Sequence, residues 1–322
     1  FGRSLFQYTG FMKTLHQAAP LILTGLAIAF SFKAGLFNMG IEGQLLTSGF
    51  VVAILGNKLQ AWPAGILIPF LLIVGVIVGV LTAVIPTLLK AYFNVNEMVV
   101  TLLLNYAIAS VLEYLTSNVF RDPSSGYVST PMIGTNAIIT RLFDSRVTLF
   151  FFISLFVFGV MYVIFNHSKL GFEITAMGKN RPFAEATGMG IRKKIIVIMF
   201  TSGALAGLAG AGWMMSEKFS YTLSFSGVPG LGWDGMLIAL LGGHTPMGIF
   251  VAAIFYAVLK TGSANIATFT SVPAEIVVLI QAIIILLLSL KSIIKKDKLL
   301  KLFSRPIKPS AQKATASKEE TV

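Results

Sequence analysis

The sequence predicts an all-α fold: a polytopic bundle of transmembrane helices, some discontinuous, with about eight or nine passes in this chain. Three observations predict it. Of 322 residues, 55% are hydrophobic and only 12% charged, and the mean hydropathy is +0.82; a soluble domain carries roughly 25% charge. Several apolar runs approach or exceed the ~20 residues that cross a bilayer. Runs such as F-L-L-I-V-G-V-I-V-G-V (70–80) and I-V-V-L-I-Q-A-I-I-I-L-L-L (276–288) lack the polar/apolar alternation of a membrane β-strand.

Each element follows in order. The first span covers residues 15–32, with Pro20 inside it and Lys33 after it. A polar break then reads G-L-F-N-M-G-I-E-G-Q-L-L (35–46), carrying Asn38, Glu42, Gln44 and three glycines, and a second span runs to residue 55. Glycines at that density predict an unwound or tightly packed stretch, a recurrent way to present polar groups inside a membrane. The third span, 62–89, has Trp62 and Lys90 as interfacial anchors and Pro69 and Pro86 as bends. The fourth, 98–119, follows Asn94-Val95-Asn96-Glu97, and a Ser/Thr/Pro/Gly-rich connection occupies 121–146. The fifth span is 147–165.

Residues 167–194 read as a basic loop with one short helix, 181–187: Asn180 is a good N-cap, Pro182 suits a first turn, and Gly188 and Gly190 stop it. Two turns are too short to be stable alone, so this helix needs a partner surface. The sixth span, 195–215, contains Gly203-x-x-x-Gly207, which predicts close helix contact within the bundle. A Ser/Gly/Pro loop covers 216–232, and the stretch 233–259 breaks at G-G-H-T-P (242–246) into 233–241 and 247–259. The last span is 274–290. Residues 1–290 therefore form one transmembrane domain, and 291–322 a basic, disordered tail.

The net charge of +12 does not point to nucleic acid, because the basic residues concentrate in the 167–194 loop and the tail, where the positive-inside rule expects them. That places both in the cytoplasm and 121–146 outside; parity closes when 233–259 counts as two passes. The chain start, with Arg3 and Lys13, then falls outside, which leads us to expect one further N-terminal span before Phe1. The absence of cysteine excludes disulfides, thiolate metal sites and a cysteine nucleophile. His16, His167 and His244 are far apart in sequence, which argues against a metal site.

An ionised side chain at mid-bilayer costs about 2.5–3.5 kcal/mol even on a forgiving scale, so the polar residues at membrane level need reasons. They are Asn38, Glu42, Gln44, Glu97, Asn105, Glu113, Asp234, Glu275 and Gln281. Such groups line a water-filled path, or they cap broken helices and bond neighbouring ones. Glu113 and Gln281 read better as interhelical bonding groups, and Glu275, just after Pro273, as a first-turn acid. For 38–44 the two readings stand level. No intramembrane lysine or arginine stands out as a partner, and no run of acids lines one helix. An ion-coupled secondary transporter of a small polar solute, with Glu42 and Glu97 as a relay, is a second reading; an intramembrane enzyme is a distant third.

Four motifs in order resemble the permeases of bacterial ABC importers for nucleosides and simple sugars, relatives of the ribose and branched-chain amino acid permeases. They are G-L-F-N-M-G-I-E-G-Q-L (35–45), N-E-M-V-V-T-L-L-L-N-Y (96–106), the G-x-N-x-x-x-A-x-x-x-G pattern at Gly178, Asn180, Ala184 and Gly188, and W-D-G-M-L-I-A-L-L-G-G-H-T-P-M-G (233–248). Trp233 and His244-Thr245 depart from the commoner residues of that family. The resemblance implies a non-enzymatic translocation subunit that binds no cofactor or metal and forms half of a solute path, with purine nucleosides favoured over simple sugars. Asn38, Glu42, Gln44, Glu97, Asn105, Trp233 and Asp234 would lie near that path. ATP would be used by a partner ATP-binding cassette subunit; no G-x-x-x-x-G-K-[ST] occurs here. Gly178, Asn180, Arg181, Ala184, Glu185, Gly188 and Gly190 would form the coupling helix and its flanks. The remaining partners would be a second, homologous permease forming a heterodimer, an extracellular substrate-binding lipoprotein meeting 121–146 and 216–232, and membrane lipids. The implied location is the bacterial plasma membrane, multi-pass, with the C-terminus in the cytoplasm.

Overall fold

The computed structural model describes residues 8–142, 144–227 and 230–269, together with Leu279 and Ile283. The rest of the last expected span, with Glu275 and Gln281, and Arg3 and the tail lie outside the described residues. The helices are α1 (Tyr8–Lys33), α2 (Ile41–Lys58), α3 (Ala64–Phe93), α4 (Glu97–Tyr114), α5 (Leu149–His167), α6 (Lys169–Lys179), α7 (Arg181–Ala186), α8 (Ile191–Trp213), α9 (Leu231–Leu241) and α10 (Pro246–Phe269). Single π-helical turns extend α4 (Leu115–Val119) and α8 (Met214–Lys218). Six of these helices are long and apolar enough to cross a membrane: α1, α3, α4, α5, α8 and α10. The chain is a multi-pass helical membrane protein.

Local chemistry sets the boundaries. α3 runs through both Pro69 and Pro86 and stops where Asn94 turns left-handed (φ 51°). Asn96 then caps α4, its side chain accepting from the Met98 amide at 3.0 Å. The N-V-N-E string is thus a stop followed at once by a start. Asn180 caps α7 through the Phe183 amide (3.1 Å), and Gly188 (φ +81°) ends the turn after it, as the sequence predicts. α6, inside the stretch read as loop, is a difference: Ser168 caps it through the Gly171 amide at 3.0 Å. Leu170, Ile174 and Met177 fall at the i, i+4, i+7 spacing of an amphipathic helix and pack on the core, a signal masked by the reading of the stretch as one basic loop.

α1 is the hub, packed on α5, α8, α9 and α10 and almost wholly buried. α8 is the second central helix. Its Gly203 and Gly207 meet Gly79 and Gly75 of the antiparallel α3. A methyl on Gly79 would lie 2.2 Å from the Gly203 carbonyl oxygen, and one on Gly207 2.2 Å from that of Gly75. Lipid offers no hydrophobic drive for helix association, so backbone proximity through small residues does that work. The small-residue spacing is satisfied inside this chain. α3, α4 and α5 instead turn Ile73, Ile77, Leu103 and Phe156 outward.

Beyond α8 the chain caps the end of the bundle remote from α7. There the Ile139, Ile133 and Thr130 amides donate to the Met215, Phe219 and Tyr221 carbonyls at 3.0, 2.8 and 2.9 Å. Of the 216–232 stretch, expected as an outer loop throughout, Phe225 and Ser226 turn inward. Phe225 is fully buried beneath Gly49, and the Trp213 indole donates to its carbonyl at 3.3 Å. Irregular backbone at this depth is tolerated because protein surrounds it.

Candidate functional site

The break between α1 and α2 is held by a ladder of side chains on α4. Glu97, Thr101 and Asn105 recur every fourth residue and so lie on one face. Glu97 accepts from the Phe37 amide (3.2 Å), and Thr101 from the Met39 amide (3.1 Å). Asn105 donates to the Met39 carbonyl (2.6 Å) and accepts from the Gly43 amide (2.9 Å). Backbone groups freed by unwinding are thereby paired, as low dielectric demands. The E-x-x-x-T-x-x-x-N spacing in 97–105 lets the second motif hold the first. From the other side Asn38 donates to the Ser202 hydroxyl (2.9 Å), which donates to the Ala27 carbonyl (2.8 Å). Asn38 also accepts from the Gly40 amide (3.0 Å) and contacts Gln44 at 3.4 Å.

Glu42 stands at the start of α2 and faces the start of α9. The Ser226 hydroxyl and the Gly232 amide, the latter at 2.7 Å, donate to its two oxygens. A carboxylate is favourable at a helix N-terminus. Glycine is required at 230 and 232 because a methyl at either would lie 2.7 Å from this carboxylate. By helical rise, α9 covers only about 16 Å, a half-span, and its buried first turn meets the break of α1–α2.

Lys260, within a helix apolar enough to cross a membrane, corrects the reading that no partner stands out. Asp234, fully buried on α9, accepts from the Tyr256 hydroxyl (2.5 Å) and pairs with Lys260 (2.6 Å), both on α10. The span expected at 247–259 stops one residue short of Lys260, whereas α10 continues to Phe269. Lys90, expected as an interfacial anchor, pairs with Glu97 at 2.8 Å.

A groove of about 330 Å³ opens between α2, α4, α9 and the inward-dipping segment, lined by Glu42, Asn105, Tyr106, Glu113, Leu223 and Trp233 among others. Of the expected path residues it therefore gathers Glu42, Asn105 and Trp233. Asn38, Gln44, Glu97 and Asp234 are buried behind it in the bonds just described. Tyr106 and Glu113 were missed as groove residues: Glu113 was read as an interhelical bonding group, whereas it lines the groove, and Tyr106 reads as an ordinary aromatic.

At the opposite end, Gly178 seats α6 on α1: a methyl there would meet the Lys33 carbonyl oxygen at 2.1 Å. Arg181 and Glu185 pair across one turn at 3.5 Å, Ala184 is fully buried, and Gly190 precedes α8. Glu173 of α6 pairs with Lys194 of α8. Phe183 nevertheless projects 60% exposed, and Phe172 69%. Beside them a wide groove of about 990 Å³ includes Glu173, Glu185, Gly188 and Lys193. In the loop at the far end, hydrogen bonds from the Ser124 hydroxyl and amide hold the Asp122 carboxyl below its ordinary range.

The family described as "Branched-chain amino acid transport system / permease component" matches residues 10–289. The guanosine ABC transporter permease protein NupP of Bacillus subtilis is 39% identical over 277 residues, covering 85% of this chain and 79% of the relative. The nucleoside ABC transporter permease protein NupB of Lactococcus lactis is 32% identical over 294 residues (88% and 80%). The glucose ABC transporter permease protein TsgB13 of Haloferax volcanii is 29% identical over 307 residues (92% and 80%). No solved structure matches. With a match over most of its length and the break, half-span helix and exposed short helix in one multi-pass bundle, this chain belongs to the branched-chain amino acid transport system permease family.

Proposed function

We propose that this chain is one permease subunit of an ATP-driven importer of nucleosides, set in a bacterial cell membrane with α7 and the C-terminal tail in the cytoplasm. The observation that carries the reading is α7: a two-turn helix, firmly seated by Gly178 and Ala184, that presents Phe183 with its ring exposed. An apolar side chain so placed fits a groove on an ATP-binding cassette subunit, where ATP is bound and hydrolysed. Permeases named for guanosine and nucleosides favour a nucleoside as solute. NupP and NupB each have a fellow permease among the relatives, NupQ and NupC, which supports a second, homologous permease completing the path. An extracellular binding lipoprotein would dock at the end remote from α7.

Reconstitution with the ATP-binding subunit, the second permease and the lipoprotein tests this. Phe183→Asp is expected to lower substrate-stimulated ATP hydrolysis at least tenfold; wild-type stimulation by that variant would refute the coupling role. Uptake driven by an ion gradient without ATP would instead favour the secondary-transporter reading.

A further inference from the structure

Side chains around the groove fall into two classes. Glu42, Asn105 and Ser226 have their polar atoms committed to backbone and neighbouring groups. Among the described residues, no hydrogen bond or ion pair engages the Glu113 carboxylate, the Tyr106 hydroxyl or the Trp233 indole N–H. A carboxylate within a membrane helix persists where it faces water or a polar solute. Tyr106 is 63% exposed, and Glu113 is exposed as well.

Geometry joins these free groups into one surface. Tyr106 and Glu113 are seven residues apart on α4, two turns on the same face and about 10 Å along the axis. Ala109, between them, also lines the groove and leaves its floor open. Trp233 supplies a second aromatic surface from α9. Flat aromatic faces stack on nucleobases of any sequence, and a carboxylate accepts two hydrogen bonds at once from vicinal hydroxyls. Among the described residues no cation lines the groove, so a phosphate or the carboxylate of a free amino acid finds no counter-charge there.

We propose that this groove is a ribonucleoside half-site, in which Tyr106 and Trp233 take the base and Glu113 accepts from the ribose 2′- and 3′-hydroxyls. The proposal rests on the nucleoside-importer reading and assigns its solute contacts. Glu42 and Asn105 then act as positioning residues, holding α2, α9 and the dipping segment around the cavity.

The test is equilibrium binding of radiolabelled guanosine and 2′-deoxyguanosine to the assembled transporter without its lipoprotein, so that the lipoprotein's pocket does not contribute. Glu113→Gln is expected to weaken guanosine binding about tenfold, the loss of a charge-assisted hydrogen bond, and to bring the ribo/deoxy ratio close to one. Tyr106→Leu is expected to weaken both ligands alike, with Tyr106→Phe restoring them. Size-exclusion chromatography of each assembled variant checks that the complex is intact before binding is read. Equal or no weakening by Glu113→Gln overturns the half-site. So does wild-type transporter that imports guanosine yet binds none without the lipoprotein. Wild-type transporter that imports no nucleoside overturns the importer reading itself, which separates the two failures.

Discussion

Lys260 and Asp234 form a pair that can be taken apart one side at a time. Asp234 is fully buried, and removing its cation leaves an uncompensated carboxylate. Lys260→Met is expected to destabilise the purified protein by about 3 kcal/mol, and Asp234→Leu in the same chain should recover most of that loss. Thermal unfolding of the single and double variants in detergent reads the coupling. Glu42 behaves differently. Glu42→Gln retains an oxygen for the Gly232 amide, and the Ser226 hydroxyl can turn to accept, so the expected cost is about 1 kcal/mol. Glu42→Leu strands both donors and should cost about 3 kcal/mol by the same measurement. The importance of Glu42 was legible in the sequence because a carboxylate between glycines in an apolar chain is costly. Lys260 was not, because a lysine near the end of an apolar run reads as an anchor.

Among the elements, the α3–α8 seam leaves no room for a side chain at Gly79, Gly203 or Gly207. Gly79→Leu would drive a side chain into the Gly203 carbonyl. The helices must then separate, with an expected loss of about 3 kcal/mol and increased protease sensitivity of the folded protein. Caps and breakers made most boundaries legible: Asn94, Asn96, Asn180 and Gly188 each do in the structure what their chemistry predicts. α6 was legible but missed: Ser168 as a cap and Leu170, Ile174 and Met177 at helical spacing stand in a stretch read as a basic loop. The inward dip after α8 was hidden, because Ser, Gly and Pro read as surface loop wherever they occur. Its burial depends on Glu42, which Ser226 meets across 184 residues of sequence.

In the whole molecule, α1 and α8 form the centre, while α3, α4 and α5 expose apolar faces. Because the chain has no cysteine, its orientation can be read with single introduced thiols. A cysteine at Phe183 should label only from the cytoplasmic side, and one at Ser124 only from outside; labelling of both from one side would refute the assigned topology. The fold class, the break at 35–46, the broken 233–259 stretch and the short capped helix α7 were all determined by the sequence itself, through apolar run length, glycine spacing and capping residues. These are local quantities, set by a few neighbouring residues against a bilayer's fixed thickness. Only the tertiary structure decided which polar groups are spent on holding the break and which remain free in the groove. That choice depends on which donor meets which acceptor across 62 residues for Asn105 and Gly43, or 190 for Gly232 and Glu42. No local period encodes a pairing at that separation, because hydrogen bonds are satisfied by proximity in space.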